Sequence, residues 1–259
     1  MNPITLVQFT DTHLFALASS TLKKINTLDT LDKVLDSISC SESQIDCLVA
    51  TGDIAQDASL NAYKNFMLSI EKIDAPFRWI PGNHDNASLM QQISIGTDYS
   101  EKKLRIGNWQ IILLDTSVKY EVFGRLKSIE LEFLKETLSN VDSDEAVQNV
   151  LICLHHNPIS SSRGWSENIG LQNSSEFIEI VKRYSSVRCV IFGHLHQEID
   201  IRYEGIRWLC TPSTCVQFLA NAIRFELDSS MPGYRRLRLH KDGYIDTEVI
   251  RLRDDYELD

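Results

Sequence analysis

Five short runs of apolar, β-favouring residues each stop at a polar block of Asp, Asn, His and Gly, and this repeated stop limits what the chain can fold into. Ile4 to Phe9 leads into Asp11-Thr12-His13, Cys47 to Ala50 into Gly52-Asp53, and Phe77 to Ile80 into Gly82-Asn83-His84-Asp85. Val150 to Leu154 leads into His155-His156, and Val187 to Phe192 into Gly193-His194-Leu195-His196. Apolar runs of this length, broken by turn residues, read as buried strands. Their polar ends then share the carboxyl edge of a sheet, where α/β proteins place ligands.

Between these runs the period becomes helical. Leu28, Leu31, Val34, Leu35 and Ile38 predict one core-facing helix, and a second is expected over Ser59 to Ile73 through Tyr63, Phe66, Met67 and Ile70. Trp109 to Asp115 reads as a further strand, followed by helices near Leu126 to Leu138 and Ser175 to Tyr184. Beyond His196 the pattern alternates instead. Glu198 to Tyr203 with Arg207 to Leu209, and Arg236 to His240 with Tyr244 to Ile250, read as antiparallel hairpins around Glu204-Gly205 and Asp242-Gly243. With no Pro/Gly/Ser-rich linker to divide it, the chain is expected to form a single domain over residues 1–259.

A net charge of −10 argues against nucleic-acid partners, which need basic surface. No apolar run approaches the roughly 20 residues that span a bilayer, and the amino terminus lacks a basic region and cleavage site, so no membrane association and a cytoplasmic location are expected. Cys40, Cys47, Cys153, Cys189, Cys210 and Cys215 contain no C-x-x-C pair and are expected to be reduced and mostly buried.

The five blocks combine carboxylate, amide oxygen and imidazole without thiolate, the donor set of borderline or hard divalent ions such as Mn²⁺, Fe²⁺ and Zn²⁺. A two-oxygen carboxylate such as Asp53 can bridge two cations, and His194 and His196 can serve one each. In set and order the blocks resemble the calcineurin-like metallophosphoesterase family, whose pattern is D-x-H, G-D, G-N-H-[DE], H and G-H-x-H. The likeness implies a four-layer αββα sandwich of two mixed sheets flanked by helices, with the antiparallel hairpins at its carboxyl-terminal side. It implies that Asp11, His13 and His196 hold one metal, that Asn83, His155 and His194 hold the other, and that Asp53 bridges. His155 rather than His156 is the expected ligand, with His156 behind it. His84 resembles the family histidine that contacts phosphate or protonates the leaving oxygen, and His13, Asn83, His84 and His196 are the expected substrate contacts. Asp85 is expected either to orient His84 or to cap a helix. The metal pair is expected to be Fe/Mn or Mn/Mn, with Zn a further candidate.

Two cations against two Asp carboxylates leave such a centre net positive, enough to hold a phosphodiester despite the acidic chain. Metal coordination would acidify a bridging water, so that hydroxide attacks phosphorus in line. The segments Phe9 to Phe15, Ala50 to Asp57, Thr211 to Phe218 and Pro232 to Arg235 resemble the bacterial 3′,5′-cyclic AMP phosphodiesterase branch of this family, which implies cyclic AMP as substrate. The alternatives are a related hydrolase of another phosphodiester or nucleotide pyrophosphate, and a non-catalytic protein-binding scaffold. Arg163 and Trp165, in a loop after His155, could pair with phosphate and stack on a base, but the expected fates are an exposed arginine and a packed tryptophan. The expected state is a monomer or a homodimer, with strand edges after residue 196 available for pairing.

Overall fold

The computed structural model describes residues 2–159 and 164–253. The chain opens with β1 (Ile4–Phe9), a small hairpin of β2 (Thr21–Leu22) and β3 (Ile25–Asn26), and α1 (Thr27–Ser41). It continues through β4 (Cys47–Ala50), α2 (Leu60–Ile70), β5 (Phe77–Trp79) and α3 (Ala87–Ile93). β6 (Lys103–Ile106), β7 (Trp109–Leu113), α4 (Ser128–Asp142), β8 (Asn149–Cys153), α5 (Ser174–Val181) and β9 (Val187–Phe192) follow. The remainder is strand: β10 (Ile199–Tyr203), β11 (Ile206–Cys210), β12 (Gln217–Phe218), β13 (Leu227–Asp228), β14 (Gly233–Leu239) and β15 (Ile245–Arg251).

Two sheets result, ordered β15-β14-β1-β4-β5 and β10-β11-β9-β8-β7-β6. β1, β4 and β5 run parallel, as do β7, β8, β9 and β11, while β14, β15, β6 and β10 join antiparallel. Both sheets are therefore mixed. Successive strand side chains point to opposite faces, so the continuous apolar runs fill two layers at once. Leu6, Val49, Ile111, Leu151, Ile191 and Leu237 fill the space between the sheets. Val7 and Leu48 pack outward under α1 and α2, with Leu31, Val34 and Phe66. On the other side Ile112, Ile152 and Val190 pack outward against Leu134, Leu138 and Phe177 of α4 and α5. The order is helix, sheet, sheet, helix, as the family resemblance implied.

Local chemistry sets the helix starts. Asn26 accepts from the backbone N–H groups of Leu28 and Asp29 at α1, and Ser59 from Ala62 at α2. α2 ends at Ile70, and Ile73 packs on the core from the turn beyond. α3 has no counterpart in the sequence reading because only Met90 along its length is buried, too little to show a period. Asn86, not Asp85, caps it by accepting from the Leu89 N–H, which corrects one of the two expectations for Asp85. The carboxyl-terminal hairpins part company: β14 and β15 complete the first sheet, whereas β10 and β11 complete the second. β15 and β10 accordingly form one edge of their respective sheets, with β5 and β6 at the other edges.

Candidate metal centre

β1, β4, β8 and β9 deliver their polar blocks to one edge of the paired sheets. The Asp11 N–H donates to the Gly52 carbonyl and the His13 N–H to the Asp53 carbonyl, which zips the first block to the second. Both Asp11 carboxylate oxygens accept from the His194 N–H, at 3.1 and 3.3 Å, which ties in the last block. Gly193 permits this approach, since a Cβ there would collide with Thr10 Oγ1 and lie 2.6 Å from Asp11 Oδ2. The backbone bends sharply to aim these side chains. Asp11, His13, Asp53, His194 and His196 all have φ between 48° and 69°, the left-handed region that costs non-glycine residues about 1–2 kcal/mol each.

Asp11, His13, Asp53, His155, His194 and His196 are all at most 6% exposed. Nε2 of His13 and His196 lie 3.1 Å apart, with Asp11 Oδ1 3.3 Å from His196 Nε2 and 4.0 Å from His13 Nε2. Asp53 Oδ2 is 3.8 Å from His13 Nε2 and 3.4 Å from His155 Nε2, so one carboxylate reaches both sides of the cluster. Asn83 Oδ1 is 3.2 Å from His155 Nε2, and the rings of His155 and His194 are 5.0 Å apart. All seven residues singled out as metal donors thus come together, Asp11, His13 and His196 on one side and Asn83, His155 and His194 on the other.

The hydrogen bonds behind the cluster suit cation binding. His155 Nδ1 donates to the Thr51 carbonyl at 2.8 Å and His196 Nδ1 to the Val216 carbonyl at 2.7 Å, which fixes each ring with its Nε2 facing inward. His13 Nδ1 and His194 Nε2 are buried without a hydrogen-bond partner. Crowded lone pairs and orphaned ring nitrogens in a dry site fit divalent ions better than they fit one another.

The charges inside conflict. Burial works against the Asp11 carboxylate, yet His196 beside it holds the group down at about 2. Asp53 is likewise buried, and His155 brings it well below the usual carboxylate range. Among the imidazoles, burial opposes charge at His155 but Asp53 overcomes it and lifts the ring to about 9. At His13 burial wins over Asp53 and lowers it to about 4, and at His194 burial with the neighbouring His155 lowers it to about 3.

His156 packs against this centre, its ring 4.8 Å from that of His155 and 4.7 Å from that of His194. Its Nδ1 lies 2.7 Å from Thr116 Oγ1 and its Nε2 3.2 Å from the Val122 carbonyl, so both ring nitrogens are taken by the 116–122 loop. Asp85 does not touch the His84 ring, which corrects the second expectation for it. Its carboxylate instead accepts from the backbone N–H groups of Ile54, Ala55 and Gly82 and from the Tyr63 hydroxyl, locking the second block to the third. His84 is half-buried, donates its N–H to Asp53 Oδ1 at 2.8 Å, and sets its ring edge-on to His13 at 5.0 Å. Gln56 Nε2 lies 3.2 Å from His84 Nδ1. Asn83 and His84 form part of a cleft of about 540 Å³ whose far wall carries Ser117, Lys119, Tyr120 and Lys127. These two lysines bring positive charge to the lining of the cleft, and no motif in the sequence marks them. Arg163 lies outside the described residues, while Trp165 is half-buried in an aromatic group beside the centre.

Buried carboxylates and imidazoles gathered at the strand ends of two stacked sheets define a hydrolase of the metallophosphoesterase class. The chain belongs to the calcineurin-like phosphoesterase family, whose pattern matches residues 4–198. It is 37% identical to the 3′,5′-cyclic adenosine monophosphate phosphodiesterase CpdA of Pseudomonas aeruginosa, over 97% of this chain and 91% of that one. It is 39% identical to the protein of the same name from Escherichia coli, over 97% and 90% of the two chains. Among solved structures it is similar to a dimetal phosphatase from Danio rerio, with a TM-score of 0.62, 16% identity, and 97% and 99% of the two chains covered, a likeness of fold. No helix among the described residues is long and apolar enough to cross a membrane.

Proposed function

We propose that this chain hydrolyses 3′,5′-cyclic AMP to 5′-AMP, using two divalent ions held by Asp11, His13 and His196 on one side and by Asn83, His155 and His194 on the other, with Asp53 between them. The observation that carries the reading is the crowding of metal-donor atoms in a dry site: His13 Nε2 lies 3.1 Å from His196 Nε2, 4.0 Å from Asp11 Oδ1 and 3.8 Å from Asp53 Oδ2, and His196 Nε2 lies 3.3 Å from Asp11 Oδ1. The choice of nucleotide draws on the near-full-length similarity to proteins named as cyclic AMP phosphodiesterases. Bound there, two divalent ions supply Lewis-acid stabilisation of phosphoryl charge and a water acidified toward neutral pH. Fe/Mn or Mn/Mn is the proposed pair, with Zn the alternative, since all suit N/O donors.

The chain's own groups do the rest. Thr51 and Val216 keep the His155 and His196 tautomers fixed, so their Nε2 atoms need no reorganisation. Hydrolysis to 5′-AMP breaks the bond from phosphorus to O3′, and that oxygen must gain a proton. His84 gives it, supported by its half-buried ring at the cleft mouth and by the backbone bond to Asp53 that fixes its position. Lys119 and Lys127 draw the anionic substrate toward the cleft.

The test is release of 5′-AMP from 3′,5′-cyclic AMP by purified protein, with and without Mn²⁺, beside an aryl phosphodiester and a 2′,3′-cyclic nucleotide. Metal-dependent 5′-AMP formation is expected. Cleavage of the aryl diester without cleavage of cyclic AMP retains the hydrolase and rejects the nucleotide, and silence on all three with metals bound rejects both.

A further inference from the structure

Phe218 lies flat on the His196 ring, with centroids 3.9 Å apart and planes at 11°. Phe218 ends a strand pair that carries an unusual amount of apolar surface. Along this 217–228 hairpin Leu219 is 37% exposed, Phe225 46%, Leu227 47% and Ile223 86%. Trp165 reaches across from the loop after His155 and stands edge-on to Phe218 at 5.5 Å and to Phe225 at 5.4 Å, and the two phenylalanines are themselves 4.8 Å apart.

The two loops are locked together. Gly164 holds φ +136°, and a Cβ there would collide with the Ala222 carbonyl oxygen of the hairpin. Trp165 therefore approaches Phe218 and Phe225 only because its neighbour lacks a side chain. Three aromatic rings packed edge to face, one of them stacked on an imidazole of the centre and another nearly half exposed, form a rigid apolar wall continuous with the place where phosphate would sit. Apolar surface of this kind, gathered rather than scattered, marks a place where something docks.

We infer that Trp165, Phe218 and Phe225 are the nucleobase wall of this site, on which the purine of the bound nucleotide stacks while its phosphate lies on the metal centre. The inference rests on the phosphodiesterase reading and deepens it by assigning base selectivity. The occupant is a base because the wall begins on the His196 ring: a ligand whose phosphate is held by the centre reaches the aromatic group across one ribose. Base–aromatic stacking tolerates any π face, so the wall favours purine over pyrimidine and either over no base, without itself distinguishing adenine from guanine.

The experiment measures binding by calorimetry, in Mn²⁺-loaded protein, of 5′-AMP against ribose 5-phosphate, which carries the phosphate and sugar but no base. The unaltered protein is expected to prefer 5′-AMP by about tenfold or more, and Phe225→Ala and Gly164→Ala each to lower that ratio about tenfold, with Phe225→Trp restoring it. Equal affinity of the unaltered protein for the two ligands overturns the wall, as does a ratio unmoved in the variants. An alternative occupant, a second copy of this chain, shows itself as a dimer that Phe225→Ala dissociates in sedimentation with the ratio unchanged, and this too overturns the inference. These measurements need no turnover, so failure of the unaltered protein to cleave cyclic AMP counts against the proposed function alone.

Discussion

The same strands feed two regions built on opposite terms. Between the sheets, Leu6, Val49, Ile111, Leu151, Ile191 and Leu237 lie in extended backbone, meet apolar neighbours and are almost wholly buried. A few residues further along β1, β4 and β9, the backbone turns left-handed at five polar side chains, and imidazoles at the same depth are driven apart, His155 up to about 9 and His194 down to about 3. The relaxed layer holds the strained edge in place. A cluster carrying backbone strain, like charges and orphaned nitrogens persists only where the surrounding packing over-determines it, and its internal conflict is of a kind that bound cations resolve.

The contrast can be broken most completely at Asp53. Asp53→Ala removes a carboxylate that lies within 4 Å of both His13 and His155, and is expected to abolish turnover and weaken both ions, read as metal content after dialysis. A variant that keeps one ion at full affinity confines Asp53 to a single side. In the relaxed layer the expected damage is to stability: Leu151→Ala leaves a cavity between the sheets and costs about 2–5 kcal/mol in urea unfolding, with metal content preserved in the folded fraction. Loss of metal at equal stability would contradict the division of labour. His84→Ala separates chemistry from assembly, and is expected to retain both ions while kcat falls roughly 10²-fold, about 2.7 kcal/mol. Its purification without metal would defeat that assignment.

Acid sharpens the same comparison in metal-free protein. Burial holds His13 at about 4, His194 at about 3 and His156 well below the usual imidazole range, so below pH 6.5 the unfolded chain takes up protons that the folded chain refuses. Stability at these three is present above pH 6.5 and lost as pH falls. Asp85 opposes them, because burial and the nearby Asp53 raise it to about 6 and its folded form gains a proton between pH 6 and 3.8. His155, at about 9, contributes stability that is complete below pH 6.5 and fades between 6.5 and 9. Three imidazoles against one carboxyl leave a net loss of about 2 kcal/mol per pH unit between pH 6 and 5, measurable by urea titration after chelation. A flat profile would mean that the imidazoles are hydrated.

The relaxed region was the more legible from sequence. Strands of four to six apolar residues bounded by Gly, Asp or His declare themselves locally, and so do helices with a clear buried face such as α1. The polar blocks were legible as donors because their chemistry is unusual in combination. Their surroundings were not. Asp85 acts on backbone donors about 30 residues away, beyond the reach of any local pattern. Which sheet each terminal hairpin joins depends on register, which periodicity does not encode. Trp165 and Phe218 are more than 50 positions apart and read singly as packing residues, and Lys119 and Lys127 gain meaning only when a loop carries them to the cleft opposite His84.

The pairing of β1 with β14 sets a timetable. Ile4 lies opposite Leu239, and Asp11 meets the His194 backbone across 183 positions, so the centre unites stretches from nearly the whole length of the chain. Contacts of such separation form slowly, because most of the polypeptide must be ordered before they are made. During synthesis the Asp11, Asp53 and Asn83 blocks emerge long before His194 and His196 join them, and β1 waits without its antiparallel neighbour until residues 233–239 appear. Ion capture is then one of the last events in maturation, because the full donor set exists only after nearly the whole chain has folded.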